Sequence, residues 1–208
     1  MGTYNHFAGQ SAERLAALSD GVFAVAMTLL VLDLHAPAME VVHSEADLLA
    51  ALWALGPRLL VYMMSFLTLG IFWVGQQTQL IFIERSNRHL SWIHLGFLFA
   101  VTLMPFSTAL MAEFIAYRTA LVLYWLNILG LGVLLFLSWW YLERAALVKP
   151  GLTPGIAAAV CRRIIYSQSL YAVGAALCVF STTLSLGFIV LVQLNYAIAP
   201  RLGVLARL

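Results

Sequence analysis

Six apolar runs divide the chain, near 14–34, 55–80, 91–113, 119–142, 160–180 and 183–199, each close to the ~20 residues that carry a helix across a bilayer. What separates them is short and polar, or rich in proline and glycine. Ala36-Pro37 ends the first run, and the segment from Pro37 to Asp47 is the most polar stretch that follows it. Glu45 and Asp47 suit the first turn of a helix that begins ahead of the second run, because acidic groups are stabilised at a helix N-terminus. Gly56-Pro57 predicts a bend where that helix enters lipid, and Lys149-Pro150-Gly151-Leu152-Thr153-Pro154-Gly155 is a turn that no helix crosses. Ser181-Thr182-Thr183 leaves so little chain that the fifth and sixth helices must form a tight hairpin, with small residues Ala172, Gly174, Ala175 and Ala176 at its interface.

Within the first run, Leu18, Gly21, Val25, Thr28 and Leu32 recur at alternating spacings of three and four. They share one stripe, apolar but for Thr28, of the kind around which like helices close. Ser19, Asp20, Phe23, Met27 and Leu30 face elsewhere, so Asp20 sits beside the seam, within reach of a neighbouring helix, and Arg14 lies one and a half turns earlier. An ionised side chain in the hydrocarbon region costs roughly 2.5–3.5 kcal/mol on insertion scales, so it is kept where it faces a bundle interior or a water-filled path. The first helix therefore lines something.

Composition makes this an integral membrane protein: of 208 residues 63% are hydrophobic and 10% charged, with mean hydropathy +0.94, against about 25% charged in soluble domains. The net charge of +2 is too small, and the basic residues too dispersed, for a nucleic-acid partner. Their distribution says more. Arg14, Arg85, Arg88, Arg144, Lys149, Arg162, Arg163, Arg201 and Arg207 fall on one side of a six-span threading. Arg58 and Arg118 share the other with Asp33, Glu40, Glu45, Asp47 and Glu113. The bias places both termini in the cytoplasm. No short apolar core with a small-residue cleavage site opens the chain, which predicts that its start is retained. Most of the six tryptophans fall near helix ends, as interfacial belts do.

Cys161 and Cys178 are the two cysteines, about 25 Å apart along one helix, which excludes a bond between them. Neither a metal-ligand spacing nor paired carboxylates, nor a nucleophile beside a base, is present to suggest an enzyme or a cofactor. His35 and His43 belong to the polar segment after the first helix; His94 lies inside the third run and is a candidate proton-sensitive group, because an unperturbed histidine titrates near neutrality.

Arg14 to Leu32, R-x3-L-S-D-G-V-F-A-V-A-M-T-L-L-V-L, resembles the first-helix signature of the TMEM175 family of potassium channels, R-x3-F-S-D-G-x-F-A-I-A-x-T-L-L-V-L. Ser65-Phe66 and Trp73, Asn87 with Leu90 and Trp92, and the run from Leu103-Met104-Pro105-Phe106 to Glu113 are similar to that family's second and third helices. The resemblance covers the first half of the chain. It implies a six-helix subunit, all α, with one such unit per chain and no internal repeat, assembled as a homotetramer around a pore lined by the first helices and surrounded by lipid. By position in the motif it implies an apolar constriction at Val25, Leu29 and Leu32, and hydroxyls at Thr28 that face permeating potassium ions. It also implies a polar network of Arg14, Ser19, Asp20 and Gly21 with Trp92 and Asn87 that holds the first helix and takes part in gating. No carbonyl filter of the Thr-Val-Gly-Tyr-Gly type is present, so selection falls to these side chains. Leu18 stands where the family has phenylalanine, Val25 is smaller than isoleucine, Gly75-Gln76-Gln77 replaces a histidine-bearing stretch, and His94 takes the place of an asparagine.

A potassium-preferring leak channel is the reading these features favour, without cofactor or enzyme activity. A proton-coupled secondary transporter is the alternative, for which Asp20 is the one midplane ionisable group.

Overall fold

The computed structural model describes residues 12–151 and 153–198, and every described element of any length is helical. In chain order these are α1 (Ala12–Leu29), α2 (Glu45–Ala54), α3 (Gly56–Ile81), α4 (Arg88–Thr102), α5 (Met104–Glu113), α6 (Arg118–Arg144), α7 (Pro154–Ala176) and α8 (Thr182–Ile198). Among them, four spans are long and apolar enough to cross a membrane: Ala12–Asp33, Gly56–Ile81, Arg88–Glu113 and Arg118–Arg144. α8 is apolar but shorter, with 17 residues, and α7 carries Arg162, Arg163 and Gln168 within its 23. The basic tail residues Arg201 and Arg207 lie outside the described residues.

Local chemistry explains the boundaries. α1 tightens into a 3-10 turn over Leu30–Asp33 before the proline at 37. Ser44 caps α2, accepting from the Asp47 backbone N–H at 3.2 Å, while Asp47 Oδ2 accepts from the His43 N–H at 3.1 Å. These two reciprocal bonds satisfy donors that a helix start otherwise orphans. α2 and α3 meet at Leu55, with Pro57 in the first turn of α3, where its missing N–H costs nothing. The third predicted run is one span in two helices. Leu103 joins α4 to α5 immediately before Met104-Pro105, since a proline removes one helix hydrogen bond and crowds the preceding turn. Gly151 adopts φ +100°, a left-handed conformation that suits glycine, in the turn after α6. The ends of α3 and α6 are tied together there by Glu84 N–H to Leu147 O (2.9 Å) and Lys149 N–H to Phe82 O (2.8 Å).

The hydrogen bonds of the Ser44–Asp47 cap hold the Asp47 carboxyl below its usual range, the Ser44 hydroxyl contributing most and the His43 N–H next. A depressed native value adds stability above the ordinary carboxylate pKa and loses it as pH falls through the native one. α2 is therefore expected to fray on acidification below about pH 4, and Asp47→Ala to fray it at neutral pH, both read by amide exchange across Glu45–Ala54.

The core is a continuous apolar cluster in which Phe23 and Ala26 of α1 and Leu30 of the 3-10 turn after it meet Phe72 of α3 and Phe97 of α4. The Phe23 and Phe97 ring centroids lie 6.0 Å apart, and those of Phe72 and Phe97 6.4 Å. α7 and α8 pair closely, as the short connection predicts, and Ser185 donates to Gly174 O at 2.6 Å. A Cβ on Gly174 would come within 2.8 Å of Ile189. Gly174→Val is accordingly expected to cost about 1–3 kcal/mol of overpacking, seen as a lowered unfolding temperature in detergent. A buried polar string crosses the bundle behind this hairpin. Gln193 donates to Thr68 (2.7 Å), Ser65 donates to the Tyr124 hydroxyl (3.2 Å), and Thr108 donates to Ser65 (2.7 Å), which joins α8, α3, α6 and α5.

Candidate functional site: the exposed stripe of α1 and its polar anchor

α1 has two faces. Leu15, Ser19, Phe23 and Ala26 are buried. Leu18, Gly21, Val25, Thr28, Leu29 and Leu32 are exposed, with Val25 at 58% and Leu32 at 65%. In a membrane protein a contiguous apolar face left open by the chain itself is covered either by lipid or by another chain. Leu18, Gly21, Val25 and Leu29 line a concavity whose far side reaches Thr102 at the end of α4. A Cβ at Gly21 would meet nothing within 4 Å, so packing inside the subunit does not require glycine there. Leu32 lies in the 3-10 turn rather than in α1 itself. Thr28 donates its hydroxyl hydrogen back to its own helix, within 3.0 Å of Ala24 O and 2.9 Å of Val25 O. The hydrogen being spent on the backbone, what Thr28 turns outward is oxygen lone pairs, the side of a hydroxyl that a cation prefers.

Two polar contacts anchor α1 from behind. Ser19 is fully buried and donates to Leu15 O at 2.7 Å. Its oxygen lies 2.7 Å from His94 Nε2 and accepts from Gln76 Nε2 at 3.2 Å, with Gln76 Nε2 also 3.1 Å from that ring nitrogen. Three helices thus meet on one hydroxyl. One residue further on, Asp20 Oδ1 accepts from Trp73 Nε1 (2.8 Å) and from Gln77 Nε2 (2.6 Å). Charge-assisted bonds of this kind are the strong ones, and they fix the carboxylate to α3 beside the exposed stripe. The neighbour that the sequence asks for beside Asp20 is α3.

Asn87 is placed elsewhere. Its Oδ1 accepts from the Leu90 N–H and caps α4, and its amide donates to the Tyr141 hydroxyl at 2.9 Å, tying α4 to α6. Trp92 is 64% exposed on α4; the indole that reaches Asp20 is that of Trp73. Arg14 is exposed and immediately precedes Leu15, the first residue of the buried face that continues at Ser19. Glu113 pairs with Arg58, at 2.5 Å, and an exposed pair of this sort contributes under about 1 kcal/mol. Trp73, Gln76 and Gln77 are the anchoring residues that sequence reasoning did not assign a role. Their polar spacing i, i+3, i+4 inside an apolar helix was the available signal, since it puts all three on one face.

Comparison with known proteins points to one family. Residues 14–105 match the family model described as "Endosomal/lysosomal potassium channel TMEM175". The solved crystal structure of a lysosomal potassium-selective channel TMEM175 homologue from Chamaesiphon minutus superposes with a TM-score of 0.77 at 27% identity, covering 90% of this chain and 97% of that one. Over its first half the chain matches the TMEM175 family, and over nine tenths of its length it shares the fold of that solved homologue. A potassium channel of Streptomyces collinus is 35% identical over 135 residues, 63% of this chain and 64% of the relative, so the match spans a little under two thirds of that relative's length. A human relative named as an endosomal/lysosomal proton channel is 39% identical over 83 residues, 38% of this chain and 16% of its own length. The family model stops at Pro105, so it contains α1, both of its anchors and the α4–α5 junction. The family match and the apolar helices make this a membrane protein, and the relatives it resembles are named as ion channels.

Proposed function

We propose that this chain is one subunit of a potassium-preferring cation channel in the cell membrane, conducting passively through a central pore lined by α1. The observation that carries the reading is the open stripe of α1, apolar at Val25, Leu29 and Leu32 and interrupted by Thr28. In a tetramer, four such stripes facing one axis place a ring of hydroxyl oxygens just beyond a ring of valines. Apolar rings close by dewetting, and hydroxyl rings replace part of an ion's hydration shell. Closed symmetry of this kind buries the same surface on every copy, and the unobstructed space at Gly21 is where α1 helices approach most closely. Six membrane-spanning passes, with α7 and α8 as the last pair and both termini in the cytoplasm, follow the charge bias. Arg14, Ser19, Asp20 and Gly21 hold the pore helix in register, Ser19 and Asp20 through α3 and α4. Asn87 and Trp92 act at a distance from that contact, through the placement of α4.

Flux from purified protein in liposomes under a potassium gradient, beside sodium and protons, tests this. Potassium flux above sodium, independent of any coupled ion, is the expected result; transport that requires a proton gradient would establish the carrier reading instead. Thr28→Ala is expected to lower potassium preference over sodium by roughly three- to tenfold, about 1 kcal/mol of lost hydroxyl coordination per ion, while total flux persists. Unchanged selectivity in that variant would remove Thr28 from the pore.

A further inference from the structure

We infer that each subunit also carries a binding site for an anionic phospholipid of the surrounding bilayer, in a cavity away from α1. The cavity, of about 310 Å³ and open on one side, lies between α3, α6, α7 and α8. Its walls are mainly apolar, with Phe72 on α3 and Leu135 on α6. Along the α7 side run Arg163, Gln168 and Tyr171. Gln168 is half-buried, and neither atom of its amide has a hydrogen-bond partner among the described residues. Burying such groups unpaired costs free energy, so a cavity lined by them is complementary to a ligand that supplies polar atoms. Gly132 makes the placement of Gln168 possible, because a Cβ there would overlap the amide.

The order of groups along α7 identifies the ligand. Arg163 is exposed, a cation at the cavity's edge. Gln168 lies about 7.5 Å further along the helix axis and Tyr171 about 12 Å, both beside apolar wall. A diacyl phospholipid presents a phosphate, then ester carbonyls, then hydrocarbon, in that order. The phosphate meets the guanidinium, an ester oxygen accepts from Gln168 Nε2, and an acyl chain covers Phe72, Leu135 and the Tyr171 ring. Basic pockets between membrane helices recognise anionic head groups by this combination. A neutral or zwitterionic lipid offers the same chain without the net charge.

The test is lipid retention by the purified full-length protein, equilibrated in detergent with equal phosphatidylglycerol and phosphatidylcholine and read by native mass spectrometry. Phosphatidylglycerol is expected to be retained roughly five- to tenfold over phosphatidylcholine. Arg163→Gln removes that preference, and Arg162→Gln, at a position that does not line the cavity, leaves it. Ile164→Trp fills the cavity and lowers retention of both lipids; Ala159→Leu is a milder block should the tryptophan prevent folding. Equal retention of the two lipids, a preference that survives Arg163→Gln, or retention indifferent to both cavity-filling variants overturns the site. Displacement by inorganic phosphate alone overturns the lipid as occupant. Retention is read without ion flux, so the outcome is separate from that of the channel reading.

Discussion

Val25→Ala is expected to raise potassium flux by roughly three- to tenfold, because it shortens an apolar ring without adding charge. Val25 is among the more exposed large apolar residues of α1 and packs against nothing that would collapse into the space, so the subunit's own stability should change by less than about 0.5 kcal/mol, as for surface positions generally. The effect belongs to the assembled pore. An apolar constriction obstructs ions through the free energy of wetting it, and removing two methyl groups per subunit lowers that barrier by an amount of order 1 kcal/mol, which is about fivefold in rate. Val25→Phe moves the other way and should silence flux in the same liposomes. Equal flux from valine, alanine and phenylalanine at 25, with protein incorporation matched, would place the constriction elsewhere on α1. Leu29 and Leu32 would then be the positions to vary.

How much of this was readable in the sequence follows from what each feature depends on. The stripe of α1 is a local property: spacings of three and four fix one face of a helix, and Asp20 beside it demanded a polar neighbour. The α2 start at Glu45 and the bend at Gly56-Pro57 were legible for the same reason, because caps and prolines act within a turn. The break at Leu103 was equally local and was passed over, the run from 91 to 113 reading as uninterrupted because its hydropathy is. Tertiary partners were not legible. Gln76 and Gln77 stand where a histidine was expected, and His94 where an asparagine was, so each looked like a departure when taken alone. Packed together, Gln76 and His94 meet on Ser19, and Gln77 takes Asp20. Two changes that are unexplained singly form one contact when α3 and α4 lie side by side. Trp92 and Trp73 show the converse, since both are tryptophans near helix ends and only the packing of α3 on α1 says which one reaches the carboxylate.

His94→Leu should therefore have the largest effect of any single change behind the pore helix, and it should act in two separable ways. Leucine keeps much of the volume beside Phe97, whose ring centroid is 6.4 Å from that of His94. It removes the ring nitrogen from Ser19 and from Gln76, a residue whose Oε1 already lacks a partner among the described residues. Stranding a buried polar group costs about 1–3 kcal/mol, which should appear as a fall of several degrees in unfolding temperature. Ser19 retains Leu15 O, so the loss falls mainly on Gln76. Replacing both partners with apolar groups of similar shape can be nearly neutral, and His94→Leu with Gln76→Leu should recover most of the stability. Flux is the discriminating readout. A contact that only packs α1 would restore normal conductance together with stability in the double variant. A contact that holds α1 in register against α3 and α4 would leave conductance altered when stability has returned, since the Asp20 bonds to Trp73 and Gln77 alone would then resist a rotation of Val25 and Thr28 about the α1 axis. We expect the second result, because α1 is otherwise fastened at this depth by Asp20 alone to one helix, and a single pair of bonds to Trp73 and Gln77 leaves a hinge where two anchors make a fixed edge.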